Sequence, residues 1–442
     1  MLKRKIETYI EDFLASRPQK ILILDGARQT GKTFIIRQVG QRMFKNYVEI
    51  NLLDDSLNER NFAEALSVSG FYLQLSALAG EKLGSKEDTL VFLDEIQAYS
   101  HLLTLLKFLN QDNRFTYIAS GSELGITLFK TLSIPMGSIE VRHLYPLDFE
   151  EFLWANGVGD EFISHCREMF LAKKSLQESF HRRMMDLFRK YLLVGGLPEA
   201  VQSFVNDTNI VTVRQIQSQI HEYYGIDASK YDQDNRLKIR RIYDMIPSVL
   251  ENKKKRIVAR DIEGMDSKRF KDYQDEFDYL IASGIAIGVK AISTPVFPLV
   301  ESMSKNLLKL YLNDVGMLTG ILYRNNINPI LNDECSMNLG TVYELAVAQE
   351  LKAHGFKLFY YDNKKKGEVD FLIDDYEHLS VLPLEVKSGK DYYVHSALEH
   401  FIENEDYSVK NAIVFCNEGT VEEKDGVTYM PVYNVMFLGT AL

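Results

Sequence analysis

Very little in this chain could staple it covalently, because its 442 residues include only three cysteines, Cys166, Cys335 and Cys416. An odd number at wide spacing excludes a readable disulfide framework or zinc cluster, so reduced thiols in a cytoplasmic setting are expected. Ten prolines and 26 glycines are too few for a low-complexity or collagen-like chain. No repeat of solenoid period is present. Long apolar runs are missing as well, so no membrane partner is expected. The first residues, MLKRKIETYIEDFL, begin basic but turn acidic, with Ile6, Ile10 and Leu14 at helical spacing. They read as an amphipathic helix rather than a signal peptide. Finally, an excess of positive charge is lacking: 51 Lys and Arg against 62 Asp and Glu give a net charge of -11. That excludes a surface basic throughout and confines any nucleic-acid contact to a local patch. What remains, 46% apolar and 26% charged residues, is an ordinary folded composition, and the length points to about three domains.

The first chemical signal follows a short apolar run, Lys20 to Asp25, that reads as a buried parallel strand. It leads straight into Gly26-Ala27-Arg28-Gln29-Thr30-Gly31-Lys32-Thr33, which satisfies G-x-x-x-x-G-K-[ST] at every position. In such a loop the glycines let backbone amides wrap phosphates, Lys32 brings a point charge to the terminal phosphates, and the Thr33 hydroxyl ligates Mg2+. A helix from Phe34 then directs its N-terminus at the anion. A second apolar run, Leu90 to Leu93, ends in Asp94-Glu95. Asp94 is expected to hold Mg2+ through water, and Glu95 to polarise the attacking water. A third strand, Phe115 to Ala119, ends at Ser120-Gly121-Ser122, and Ser120 is taken as the γ-phosphate sensor. Arg142 is either a charge that reaches a nucleotide, in its own or a neighbouring subunit, or an ordinary surface arginine.

These segments, with FLDEIQ, ASGSELG, LYPLDFEEFL and Leu193-Val194-Gly195-Gly196-Leu197-Pro198-Glu199, resemble the archaeal-type AAA+ ATPase family, in the branch that carries a C-terminal domain of uncharacterised function. The resemblance implies an ASCE P-loop core over residues 1–150, a helical lid over 151–235, and ATP with Mg2+ as cofactors. It also leaves a homo-oligomer open. One departure stands out: this chain has Gly137-Ser138 where the family often has Gly-Arg, so an arginine role at that position is lost and Arg142 is a weak substitute.

Residues 151–235 show helical spacing, broken at Gly195-Gly196 and restarted at Pro198. The break is either the start of a lid that closes over nucleotide or a turn between packed helices. From 236 to 300 the order is three helices, then Ile285 to Val289 and Ala291 to Phe297 as a two-stranded wing, which suggests a winged helix. Between Arg236 and Lys271, twelve Lys or Arg face five Asp or Glu, so residues 236–271 are the candidate DNA contact. A solvated face or a protein-docking module is the alternative.

Residues 301–442 read as helix (Gly340 to His354, carrying Glu344), strand, strand with Asp370, strand with Glu385 and Lys387, helix and strand. Residues i and i+2 of a strand share a face, so Glu385 and Lys387 emerge together and Asp370 on the paired strand can meet them. Asp370, Glu385 and Glu344 suit Mg2+ or Mn2+, and Lys387 suits the orientation or deprotonation of a water. The arrangement resembles the PD-(D/E)XK nuclease superfamily. The expected fold is therefore α/β throughout: a P-loop NTPase (ASCE, AAA+) core with helical lid, a winged-helix connector, and a restriction-endonuclease-like α/β C-terminal domain. The expected function is ATP hydrolysis coupled to a nuclease-like domain acting on DNA. The alternative is an ATP-gated binding switch whose C-terminal domain does no chemistry.

Overall fold

The computed structural model describes residues 2–122, 137–230, 236–252, 254–302, 304–332, 339–389, 391–407 and 409–439. Cys335 and residues 123–136, including the end of ASGSELG, lie outside them. Two compact units form: one of Lys3–Tyr145 with Ala282–Gly284, the other chiefly of Pro146–Ile281 and Ile285–Leu442.

The first unit begins with helix α1 (Lys5–Ala15), strand β1 (Ile21–Asp25) and helix α2 (Lys32–Met43). Strand β2 (Asn46–Asn51), helices α3 (Leu52–Leu57) and α4 (Val68–Ala79), and strand β3 (Thr89–Asp94) follow. Helix α5 (Ser100–Asp112), strand β4 (Thr116–Gly121) and strand β5 (Ile139–His143) complete it. The five strands pair in parallel in the order β2-β3-β4-β1-β5. Every residue of β1 and β3 is buried, as strands covered by helices on both faces require. The alternation along β1 divides them: Ile21 and Ile23 join the core beneath α4 and α5, whereas Leu22 and Leu24 join that beneath α1 and α2. Because β4 lies between β1 and β3, the carboxyl ends of all three strands meet at one edge, with the phosphate loop among them.

In the second unit, the stretch with helical spacing folds as helices α6 (Phe149–Ala155), α7 (Asp160–Leu171), α8 (Glu178–Val194), α9 (Pro198–Asp207) and α10 (Ile210–Lys230). Asp148 caps α6 in a full capping box with Glu151. Helices α11 (Arg236–Leu250), α12 (Ala259–Glu263) and α13 (Gln274–Ala282) lead to strands β6 (Ala286–Ile292) and β7 (Ser304–Leu312).

Here the structure departs from the expected wing. The second strand is Ser304–Leu312, not Ala291 to Phe297, and the β6–β7 hairpin is no free-standing ribbon. Strand β6 pairs in parallel with β8 (Phe359–Asn363), so the hairpin closes one side of an eight-stranded sheet. The physical reason is burial: Leu308, Leu310 and Leu312 alternate with Lys309 and Tyr311, and all five are buried, which a wing with one face in water does not allow.

After helices α14 (Val315–Tyr323), α15 (Asn328–Leu331) and α16 (Gly340–Ala353), strands β9 (Gly367–Asp375) and β10 (Ser380–Val386) continue the sheet. Helix α17 (Ser396–Ile402), then β11 (Ala412–Cys416), β12 (Glu422–Lys424) and β13 (Val427–Pro431), finish it. The sheet order is β12-β13-β11-β10-β9-β8-β6-β7. Helix α16 is buried from Thr341 to Leu351, so it is a core helix with no solvent stripe.

Candidate nucleotide site and C-terminal charge cluster

The phosphate loop is shaped by backbone that only small residues tolerate. Gly26 has φ of 144°, and a Cβ there would stand 2.3 Å from the Leu144 carbonyl oxygen. Gly31 starts α2 from φ of 94°. Lys32 is buried, and its Nζ donates to the carbonyls of Gly26 at 2.8 Å and Ala27 at 2.9 Å. Thr30 Oγ1 donates to the same Ala27 carbonyl at 2.9 Å, which closes the loop on itself. Burial pulls the Lys32 ammonium below its ordinary pKa, against the carboxylates of Glu95, Asp25 and Asp94. A polyanion arriving at this loop adds negative charge where the ammonium has been deprived of water.

Thr33 Oγ1 donates to Asp94 at 3.0 Å and 3.2 Å, and Ser120 Oγ donates to the same carboxylate. Burial lifts the Asp94 carboxyl above its usual range, and the Ser120 and Thr33 hydroxyls work against that lift. Two hard oxygen donors in contact at the foot of α2 fit a Mg2+ ion bound with phosphates. Glu95 sits at φ of 56°, and its carboxylate accepts from Ser122 Oγ at 3.0 Å and from Gln97. So the sensor expected at Ser120 is turned onto Asp94, and Ser122 is the hydroxyl that holds Glu95.

Two partners were not read from the sequence. Arg4, buried ahead of α1, donates to the Thr30 carbonyl at 3.1 Å and the Tyr145 carbonyl at 2.8 Å, bracing the loop from behind. Gln97 escaped because amides carry no spacing signal. Arg142, by contrast, pairs with Glu140 at 3.1 Å and lies 4.5 Å over the Tyr9 ring. It is held on α1 like a surface arginine. Ser138 keeps its small side chain at the position where the family pattern has arginine.

Comparison with known families fits this geometry: residues 18–153 match the model described as the AAA domain. Residues 18–153 form an AAA-type P-loop domain. Beyond this AAA domain, residues 185–327 and 339–435 match two domains of unknown function, DUF8612 and DUF4143. A curated protein of Methanocaldococcus jannaschii, named uncharacterized protein MJ1544, is 25% identical over 366 residues, covering 80% of this chain and 72% of that one. Among solved structures, a Walker-type ATPase of Pyrococcus abyssi is similar with TM-score 0.42 and 14% identity, over 75% of this chain and 96% of that one. The Aeropyrum pernix ORC1 protein, in complex with DNA, is similar with TM-score 0.30 and 14% identity, over 76% and 93%.

The second unit brings together more charge than expected. Asp370 on β9 and Glu385 on β10 do meet: the Asp370 amide lies 3.4 Å from Glu385 Oε2, and the Val386 amide donates to Asp370 Oδ2 at 2.9 Å. Lys387 pairs with Glu385 at 2.8 Å. Helix α16 adds Glu344, which pairs with Lys255 and accepts from the Tyr311 hydroxyl at 3.3 Å. Lys309 on β7, fully buried, pairs with Glu368 at 2.5 Å. Burial and the nearby Glu385 and Glu344 carboxylates push the Asp370 carboxyl well above its usual range, with Lys309 and Lys255 opposing. For Lys387, burial pulls the ammonium down, but Glu385, Asp370 and Glu344 outweigh it and leave the pKa raised.

The sequence placed Asp370, Glu385 and Glu344 on one metal. The structure instead gives each a protein partner, and among the described residues no group of three or more His, Cys, Asp or Glu is arranged to hold a metal ion. The reason is the lysines: Lys255 and Lys309, which the strand pattern around Asp370 does not include, bring two further cations to the carboxylates. A resident Mg2+ therefore does not fit this cluster as it is folded.

Part of the basic segment is likewise paired within the protein. Lys255 is on Glu344, Arg256 donates to Asp362 at 2.8 Å, Arg240 pairs with Asp244 at 3.0 Å and Lys268 with Glu263 at 3.4 Å. Among the described residues no helix is long and apolar enough to cross a membrane.

Proposed function

We propose that the chain binds ATP with Mg2+ and hydrolyses it in the AAA domain, as a switch for its C-terminal region. The observation that carries this reading is the contact of Thr33 with Asp94 beside a Lys32 held in a G-x-x-x-x-G-K-T loop. In that arrangement the amides from Gly26 to Thr33 bind the phosphates and Lys32 neutralises the terminal ones. Thr33 and Asp94 would hold Mg2+, which neutralises charge on the phosphate oxygens. Glu95, oriented by Ser122 and Gln97, polarises the attacking water and accepts its proton. Ser120 keeps Asp94 in place. Glu95→Gln should retain binding of a labelled ATP analogue yet lose about a hundred-fold or more of turnover. A variant that hydrolyses ATP as fast as wild type removes Glu95 from this role. A Lys32→Ala variant that binds the analogue as well as wild type removes the site altogether.

For the C-terminal region two readings stand. The first is a metal-dependent nuclease acting on DNA through Asp370, Glu385, Lys387 and Glu344. The second is a switch that binds DNA or protein and does no chemistry there. The pairing of Glu344, Glu368 and Glu385 with lysines favours the second. Cleavage of DNA by purified protein with Mg2+ or Mn2+ and ATP, lost in Glu385→Ala, would restore the first.

A further inference from the structure

Residues Ala282–Gly284, the turn from α13 to β6, belong to the unit that holds the phosphate loop. Gly284 takes φ of 74°, and a Cβ placed on it would lie 3.1 Å from both Cε1 and Nε2 of His143 and 3.3 Å from the Ala27 nitrogen. Ser283 beside it is buried. The His143 ring is fixed from two further directions. Its Nδ1 lies 3.1 Å from Asp25 Oδ2, and its ring centre lies 4.3 Å from that of Tyr145. Asp25 and His143 are register partners at the ends of β1 and β5, and Asp25 leads directly into Gly26. The turn therefore stands against the first peptide of the loop and against the side chain that holds the residue before it.

That first peptide is gripped at both ends. Its carbonyl, on Gly26, accepts from Lys32 Nζ at 2.8 Å, and its nitrogen, on Ala27, is the atom that faces Gly284. A trans peptide unit is rigid and planar, with its oxygen and its N–H pointing in opposite directions. Lys32 and Gly284 therefore act on one plate from opposite sides. We infer that the Ala282–Gly284 turn reads whether the phosphate loop is occupied. Phosphates draw the Lys32 ammonium off the Gly26 carbonyl, the Gly26–Ala27 peptide loses that restraint, and its contact with Gly284 changes. Strand β6 begins at Ala286, so the change enters that strand two residues on. Linkage is reciprocal: a turn that responds to nucleotide must also, when altered, change nucleotide affinity. The turn's role rests on the ATP-binding reading above and adds to it the element through which occupancy leaves the loop.

The test is hydrogen–deuterium exchange on the full-length chain with and without AMP-PNP and Mg2+, with binding measured separately by calorimetry. In wild type, exchange at the amides of Ser283, Gly284 and Ile285 should change about five-fold or more on binding. Gly284→Ala should weaken AMP-PNP binding by about five-fold or more. Gly264→Ala, at a similar φ of 69° but with nothing within 4 Å of its Cβ, should bind as wild type does. AMP-PNP that binds without changing exchange at these three amides overturns the inference. So does Gly284→Ala that binds as tightly as wild type, or Gly264→Ala that weakens binding equally. Should Gly284→Ala fail to fold, the wild-type exchange measurement decides alone. Wild type that shows no calorimetric binding of AMP-PNP removes the ATP reading itself, a result distinct from binding without change at the turn.

Discussion

The Asp314 carboxylate accepts the amide of Gly196 at 2.6 Å, across 118 residues of sequence. The same side chain caps α14 by accepting from Met317 at 3.0 Å. Gly195 stands so close that a Cβ would lie 2.2 Å from Asp314 Oδ1, and a Cβ on Gly196 would lie 2.0 Å from the Leu147 carbonyl. The glycine pair is therefore a socket in which Leu147 and Asp314 meet. It joins helix Glu178–Val194 to helix Pro198–Asp207.

Gly196→Ala should accordingly be far more damaging than an exposed glycine substitution. Forcing a methyl group into backbone costs about 1 to 3 kcal/mol or more. Thermal unfolding of Gly196→Ala beside Gly159→Ala, where a Cβ meets nothing within 4 Å and φ is -78°, gives the comparison. The first should lose clearly more stability than the second.

Asp314 also sets a pH dependence. Burial raises its carboxyl to about 6, against the backbone amides that favour the charged form. A carboxyl raised in the folded state contributes stability that is full below the unfolded value of about 3.9 and is lost as pH rises through about 6. The loss amounts to roughly 3 kcal/mol at most by neutral pH. Melting temperatures of wild type and Asp314→Asn measured from pH 4 to 7 should show this fall in wild type and a flatter profile in the variant. Parallel profiles would remove Asp314 as the cause.

Arg4 supplies a prediction for the nucleotide loop. Arg4→Lys keeps the charge but cannot span both carbonyls with one planar fork. Its ATP-analogue affinity should fall about three- to ten-fold, with the Thr30 side of the loop loosened, as each hydrogen bond lost is about 0.5 to 1.5 kcal/mol. Unchanged affinity would show that the loop holds its shape without the brace.

DNA binding by residues 236–271, if it occurs, should use fewer charges than the sequence offers, since Lys255 and Arg256 are spent on Glu344 and Asp362. Lys254→Ala or Lys271→Ala should each reduce the slope of log affinity against log salt by about 0.9. Lys255→Ala should leave that slope almost unchanged. A steep drop for Lys255→Ala would mean that it contacts phosphate.

The loop's conformation was legible because its motif fixes backbone within eight residues: Gly26 and Gly31 take positive φ, and Thr33 meets Asp94. The helical spacing up to Gly195-Gly196 matches the helix Glu178–Val194, which ends just before that pair. The hairpin was misread because Ser304–Leu312 is apolar on alternate positions but carries Lys309 and Tyr311 inward, and only burial among distant carboxylates makes such residues core. Strand period anticipated that Asp370, Glu385 and Lys387 stand near one another. Lys255 was not anticipated, because nothing local distinguishes it from Lys254. The segment's positive excess reads as a surface for DNA, but at least four of its charges, on Arg240, Lys255, Arg256 and Lys268, pair with carboxylates within the protein.

The placement of β6 and β7 has a consequence for dissection of the chain. The family-matched span 339–435 contains Asp370 and Glu385 but neither the hairpin nor Lys255. Excised alone, it would carry β8 as a bare edge with unpaired amides and carbonyls, open to pairing with other molecules. It would also hold a nest of carboxylates stripped of two counter-ions. A fragment beginning near residue 236 keeps the hairpin and Lys255 together with the rest of the sheet.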